Sequence, residues 1–77
     1  MNERTEPTAT PALLDVVALL TDLPARQLTR GQVGTVIELI DEHTVLVEFN
    51  DDKGLAYAVV PCRRSDLLRL QYEPMSA

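Results

Sequence analysis

The segment Arg30–Val36 (RGQVGTV) constrains the fold of this chain more than any other stretch. Two glycines three positions apart precede a β-rich run that continues to Ile40. Because glycine tolerates positive φ and lets another backbone approach closely, the segment predicts a loop that leads tightly into a strand. A loop followed by a strand that begins near a glycine, early in a series of short strands, is typical of small SH3-like barrels. The segment itself indicates no chemistry.

The length and composition predict one small globular domain. A chain of 77 residues builds only a modest core, or shares one with a partner. Its hydrophobic content of 45% and charged content of 25% are ordinary globular values. We expect no membrane span, because no apolar run reaches about 18 residues, and residues 1–7 do not resemble a signal peptide. One cysteine cannot form an internal disulfide, so the sequence predicts a cytoplasmic protein.

The formal net charge of −5 disfavours two classes of partner. A nucleic-acid binder usually presents a basic surface, since neutralising phosphates supplies much of its affinity. An anionic membrane surface attracts basic segments in the same way. The charge balance therefore favours a protein partner over nucleic acid or a membrane.

Five short strands are predicted, separated by polar turns. Leucine and alanine in residues 14–20 leave a short helix open there, but the Val16-Val17 pair and the short length favour a strand. Pro24 ends this element, and Leu23 and Leu28 are expected to anchor the loop that follows. The remaining strands are predicted over residues 33–40, 44–49, 55–60 and 68–72.

The third strand and its surroundings carry the sharpest local predictions. Val45, Val47 and Phe49 alternate along it and are expected to face the core. Residues 50–54 predict a turn, with Gly54 available for positive φ. Pro61 is expected to end the fourth strand because it cannot donate to a ladder. Ser65 is then expected to cap a single helical turn.

The domain boundaries follow from where the apolar pattern begins and ends. Residues 1–12 hold no large apolar residue after Met1 and predict a flexible N-terminal arm. Residues 13–72 are predicted to form the barrel, and residues 73–77 a frayed tail.

A family resemblance covers residues 14–70. The chain carries Leu14-Asp15, Val17–Leu20, Asp22–Pro24, Arg30–Val36 and a closing Asp66–Leu70. This pattern resembles that of a small bacterial domain-of-unknown-function family, the one numbered forty-nine twenty-six. The resemblance implies a compact SH3-like β-barrel. It also implies a companion to a neighbouring protein, in the manner of an immunity protein or antitoxin.

An acidic segment predicts a role in steering a partner. Six carboxylates and no lysine or arginine occur between positions 31 and 52. Such a surface would accelerate capture of a basic partner, or would only keep a hairpin solvated and its edge protected. The carboxylates assigned to steering are Asp41, Glu42, Asp51 and Asp52.

Surplus apolar side chains give the strongest functional indication. Strand alternation prevents all of them from pointing inward, so some of Leu19, Leu46, Val60 and Leu68 are expected to lie outside unless loops cover them. Tyrosine suits an interface because it combines an apolar body with a polar tip. The predicted partner-binding patch comprises Leu46, Tyr57 and Tyr72.

The candidate chemical motifs are weak. Cys62 and His43 are each the only residue of their type, and no spacing brings them together as a nucleophile and base. They cannot assemble a zinc site within one chain, and residues 50–54 lack the ligand spacing of a calcium loop. The glycines at 31 and 34 lack the lysine and helix of a phosphate loop. We therefore expect no catalytic residue, cofactor or metal.

The sequence thus predicts an all-β, five-stranded SH3-like barrel that acts as a non-enzymatic module binding a specific protein partner, with a homodimer left open. Two alternatives remain. One is an accessory subunit of an enzyme. The other is a nucleic-acid or ribosome-associated barrel that binds through arginines at positions 26, 30, 63, 64 and 69.

Overall fold

A computed structural model describes residues 10–51, 53 and 56–70, without the side chains of residues 56 and 57. The regular elements of this part are five β-strands and two single turns of 3₁₀ helix. They are β1 (Val16–Leu19), a 3₁₀ turn (Pro24–Arg26), β2 (Val33–Leu39), β3 (Thr44–Asn50), β4 (Ala56–Arg63), a second 3₁₀ turn (Arg64–Asp66) and β5 (Leu67–Leu70).

All strand pairs are antiparallel, and the sheet order is β4-β3-β2-β1-β5. The chain runs as a meander from β1 to β4, and after a 3₁₀ turn β5 returns to pair with β1. This connectivity is that of an SH3-like barrel, so the predicted all-β fold class is confirmed. Within the described residues β4 and β5 do not pair with each other, and the sheet is not strictly closed.

The core lies on the inner face of the curved sheet, as alternation along β3 predicts. Val45, Val47 and Phe49 are 0% exposed. Cys62 and Val60 lie opposite the two valines on β4 and are also buried. The other buried hydrophobic residues come from β1, β2, β5 and the β1–β2 connection: Val17, Leu19, Val36, Leu67 and Leu28.

The two glycines before and within β2 serve the two purposes that the sequence predicts. Gly31 has φ +92°, a left-handed conformation that disfavours side chains. Gly34 lies opposite Phe49 and Val17, where a β-carbon would stand 2.7 Å from the Glu48 carbonyl oxygen. One glycine therefore permits a turn, and the other permits close packing beneath the sheet.

The β1–β2 connection is held to the core by its two leucines, as predicted. Leu23 and Leu28 exchange backbone hydrogen bonds of 2.9 and 3.2 Å. Leu28 is fully buried, and Leu23 packs against the core from the side.

Three local predictions are wrong. Pro61 does not end β4: it lies within the strand opposite Leu46, because β4 is an outer strand and one of its edges needs no donor. Ser65 does not cap the second 3₁₀ turn, which begins after Arg63 without a side-chain cap. Leu19 and Val60 are not surplus, since both face the core.

Most of the predicted N-terminal arm, residues 1–9, lies outside the described residues, as do Gly54 and residues 71–77. The described end of that arm makes hydrogen bonds with the second 3₁₀ turn and with the residue that precedes β1. Pro11 is buried, and its carbonyl accepts a hydrogen bond from the Arg64 guanidinium. The Ala12 N–H donates to the Asp15 carboxylate at 2.7 Å.

Candidate interaction surface

The outer face of the sheet is built by the residues that alternate with the core. Cross-strand partners share a face, and one row of them crosses all five strands, from Leu70 through Val16, Thr35 and Glu48 to Val59. An exposed face of an antiparallel sheet is normally polar. Here the described polar members are Thr35, Glu38 and Glu48 within the strands, and Thr44, Asn50 and Arg63 at strand ends. The apolar members are Val16, Ala18, Val33, Leu46, Val59, Pro61, Leu68 and Leu70.

The apolar residues are most concentrated on β2, β1 and β5. Val33 and Leu68 flank Ala18 on the two neighbouring strands, and Leu20 follows Ala18 by two residues. Leu20, Val33 and Leu68 are 49%, 45% and 51% exposed. We call this surface the apolar face, and it comprises Val16, Ala18, Leu20, Val33, Leu68 and Leu70.

Leu46, the one residue of the predicted patch whose side chain is described, does not belong to the apolar face. Leu46 lies on the outer face but is half-buried, opposite Pro61 and Glu38. Tyr57 belongs to β4, and its side chain is outside the description. Tyr72 lies outside the described residues. Of the four residues predicted as surplus, Leu68 belongs to the apolar face.

Sequence reasoning missed Val33 and Leu20. Val33 appears in the sequence as the first residue of a glycine-flanked strand, and Leu20 as the end of an apolar run. Alternation with Val36 and Val17 gives a signal for their outward orientation. Their proximity depends on the pairing of β1 with β2, which alternation does not specify.

The acidic segment divides between the two ends of β3. Asp41 and Glu42 lie in the β2–β3 turn, while Asp51 follows β3 at its far end. The seven residues of β3 span about 23 Å. Asp51 therefore lies at the end of β3 that faces the start of β2, where Phe49 pairs with Gly34, and is remote from the other two carboxylates. Asp52 lies outside the described residues.

The β2–β3 turn holds the Asp41 carboxylate in place. The His43 N–H donates to Asp41 Oδ1 at 2.8 Å and lowers the pKa of this carboxyl, with Thr44 adding to the effect. Beside the turn lies an open cleft of about 520 Å³, lined also by Arg63 and Ser65. Because the carboxylate accepts hydrogen bonds from the turn, its first role is to fix the hairpin.

The structure does not bring the candidate catalytic pair together. Cys62 faces the core, where burial raises the pKa of its thiol and the charge of Asp66 adds to the effect. His43 is exposed in the turn. In the described part of the chain no three histidine, cysteine or carboxylate side chains are grouped as metal ligands would be.

Two of the candidate arginines make contacts within the protein. Arg69 pairs with the Asp15 carboxylate at 3.1 Å. Arg64 donates to the carbonyls of Pro11 and Asp41. Among the helical segments in the described residues, none has the length and hydropathy to cross a bilayer.

Comparison with known proteins gives one positive result. The family described as "Domain of unknown function (DUF4926)" matches residues 13–69. No curated protein matches the chain, and no solved structure matches it. The match spans every strand but for the last residue of β5, and it includes the glycine-led β2 and nearly all of the apolar face. The chain therefore belongs to the DUF4926 family.

Proposed function

We propose that this protein is a non-enzymatic interaction module that binds one specific protein partner through the apolar face. The observation that carries the proposal is the row Val33–Ala18–Leu68 on three adjacent strands, whose two outer members are about half exposed. Contiguous exposed apolar surface on a soluble domain marks a contact site. The size of the core also supports the proposal, since so small a domain gains stability from a partner.

The charges beside the apolar face favour a partner with basic residues at its rim. Asp51 follows β3 at the end that faces the start of β2, and Glu48 lies within the outer row beside Thr35. Carboxylates in these places would accelerate encounter and orient the partner, while burial of the leucines and valines would supply the affinity.

The proposal includes a cellular location and a mode of action. A bacterial cytoplasm suits a chain whose one cysteine is a free buried thiol. As a companion of the immunity or antitoxin kind, the protein would act by covering a cleft of its partner. Binding to an enzyme without blocking it would instead make the protein an accessory subunit.

The test begins by crosslinking the tagged full chain in its own host and identifying the crosslinked protein. With that protein purified, the dissociation constant is measured by calorimetry for the wild type and for Leu68→Thr and Val33→Thr. Threonine retains strand propensity while it removes apolar contact. We expect each substitution to weaken binding about tenfold or more.

The matched control is Val59→Thr on β4, which has a similar exposure of 47% but lies outside the apolar face. It should bind as the wild type does. Circular dichroism should show all three variants folded. Unchanged affinity in both Leu68→Thr and Val33→Thr would contradict the proposal.

A further inference from the structure

A tight turn immediately before β1 displays two leucines to solvent. The Asp15 N–H donates to the Ala12 carbonyl at 3.0 Å, which closes a β-turn with Leu13 and Leu14 at its centre. Leu13 is 52% exposed and Leu14 is 70% exposed. We call residues 12–15 the leucine turn.

The backbone of this turn is one that leucine disfavours. Leu14 has φ +69°, at the third position of a turn where glycine or asparagine is the usual choice. The left-handed region brings the β-carbon of an L-residue close to its own backbone. Strain of this kind persists only when the surroundings fix it, and it concentrates at functional positions.

The surroundings do fix the leucine turn, from three directions. The Asp15 carboxylate accepts from the Ala12 N–H and pairs with Arg69. The Leu14 N–H donates to the Val36 carbonyl at 2.8 Å. The backbone that carries the two leucines is therefore held in place before any partner arrives, which lowers the entropy that binding must overcome.

The turn lies beside apolar and acidic residues of the β2–β3 hairpin. Its bond to Val36 places it next to Ile37, which is partly exposed. The Arg64 guanidinium bridges the carbonyls of Pro11 and Asp41 and so brings the preceding residues beside the hairpin turn. Glu38 and Glu42 are exposed on the same hairpin, and with Asp41 they are the carboxylates beside two cations, Arg63 and Arg64.

From this placement we propose that the leucine turn is a preformed anchor for a protein segment that combines apolar side chains with lysine or arginine. The apolar contacts are to Leu13, Leu14 and Ile37, and the basic residues face Glu38, Asp41 and Glu42. The inference rests on the proposed function in that both assign a protein partner. It adds the position of the anchor and the charge of the segment that it takes.

The test uses the ¹⁵N-labelled full chain and a short amphipathic peptide of leucine and lysine, compared with its leucine–glutamate counterpart. We expect the lysine peptide to shift the backbone amide signals of Leu13, Leu14 and Ile37, and the glutamate peptide to leave them in place. Equal shifts with both peptides, or shifts with neither, would overturn the proposal. Shifts confined to the apolar face would overturn it while leaving the proposed function intact.

The deciding variant is Leu14→Gly. Glycine relieves the positive φ, so the melting temperature should equal or exceed that of the wild type, while the lysine peptide should bind about tenfold more weakly. Val59→Thr is the control and should bind the peptide as the wild type does. A lower melting temperature would make Leu14 a structural residue, and unchanged peptide affinity would remove it from the site. Either result would overturn the proposal.

Discussion

At the scale of single residues, Gly34 shows how one atom controls the packing of the sheet. Gly34 lies in β2 opposite Phe49 of β3. A β-carbon at this position would stand 2.7 Å from both the Glu48 carbonyl oxygen and the Val47 side chain, and 2.9 Å from the Phe49 side chain. No rotation of one side chain relieves a contact with backbone. The close approach that glycine permits is therefore a condition for burying Phe49.

We predict that Gly34→Ala lowers the free energy of unfolding by about 1–3 kcal/mol, since overpacking of a core shifts backbone as well as side chains. Urea denaturation measures it. Gly31→Asn is the control: nothing lies within 4 Å of a β-carbon at Gly31, and asparagine tolerates positive φ better than most residues. Equal stability of Gly34→Ala and the wild type would contradict the packing argument.

Asp41 shows a single residue acting through its charge. The hydrogen bond from the His43 N–H lowers the pKa of Asp41 below its ordinary value of 3.8. Because the folded-state pKa lies below the unfolded-state pKa, the charged carboxylate stabilises the native state at neutral pH. That stabilisation is lost as the pH falls through the folded-state value.

We predict that Asp41→Asn, which keeps an acceptor oxygen but removes the charge, reduces stability at pH 7 and loses this deficit in acid. Thermal unfolding at a series of pH values measures the difference between the two proteins. Asp22→Asn is the matched control for the general effect of acid on a carboxylate outside the β2–β3 turn. The Asp22 carboxylate accepts a hydrogen bond from the Arg30 backbone N–H in a different loop. A difference that does not change with pH would contradict the role of the charge.

At the scale of elements, β4 shows how sheet position decides what a proline does. Pro61 pairs with Leu46, and a residue without an N–H fits a position where the ladder needs no donor from it. Its nitrogen then lies on the open edge of β4, which has no partner strand within the described residues. Proline on such an edge prevents another chain from adding to the sheet.

We predict that Pro61→Val leaves the fold intact and increases self-association, because the new N–H extends the open edge. Sedimentation velocity over a range of concentrations measures the monomer fraction. The control is Val59→Ile, on the same strand and face, which adds apolar area without adding a hydrogen-bond donor. It should not change the monomer fraction. If Pro61→Val remains as monomeric as the wild type, proline does not protect this edge.

At the scale of the whole molecule, one sheet separates a buried side from an apolar exposed side. The inner face holds Cys62 with Val45 and Phe49, and the outer face leaves Val33 and Leu68 in solvent. In an isolated domain, a single sheet that is apolar on both faces can bury only one of them. The second face therefore supports a proposed contact with another protein.

We predict that Cys62 reports on the unfolding of the whole domain. Burial raises the pKa of its thiol and excludes reagents, so its alkylation in the native protein should be at least roughly a hundredfold slower than in denaturant. Labelling followed by mass spectrometry measures the rate. Comparable native and denatured rates would mean that β4 opens without the rest of the sheet.

Much of the fold could be predicted from the chain alone, because alternation, glycine and turn residues act over short distances. The pattern Val45, Val47, Phe49 has one inward register, and Gly34 in a β-rich run predicts a close backbone approach. The predictions for Pro61 and Leu19 were wrong for a common reason. Whether a proline ends a strand, or a leucine is left outside the core, depends on which strands lie beside it.

By itself, then, the sequence determined the strands, the inward-facing residues of β3 and membership of a family. Only the tertiary structure decided which exposed residues meet. Val33 and Leu68 are far apart in the chain, and the pairing of β1 with both β2 and β5 brings them to either side of Ala18. The left-handed backbone of Leu14 was equally beyond the sequence. Leucine disfavours it, and it is held by the hydrogen bonds between Ala12 and Asp15 and by the bond that the Leu14 N–H donates to the Val36 carbonyl.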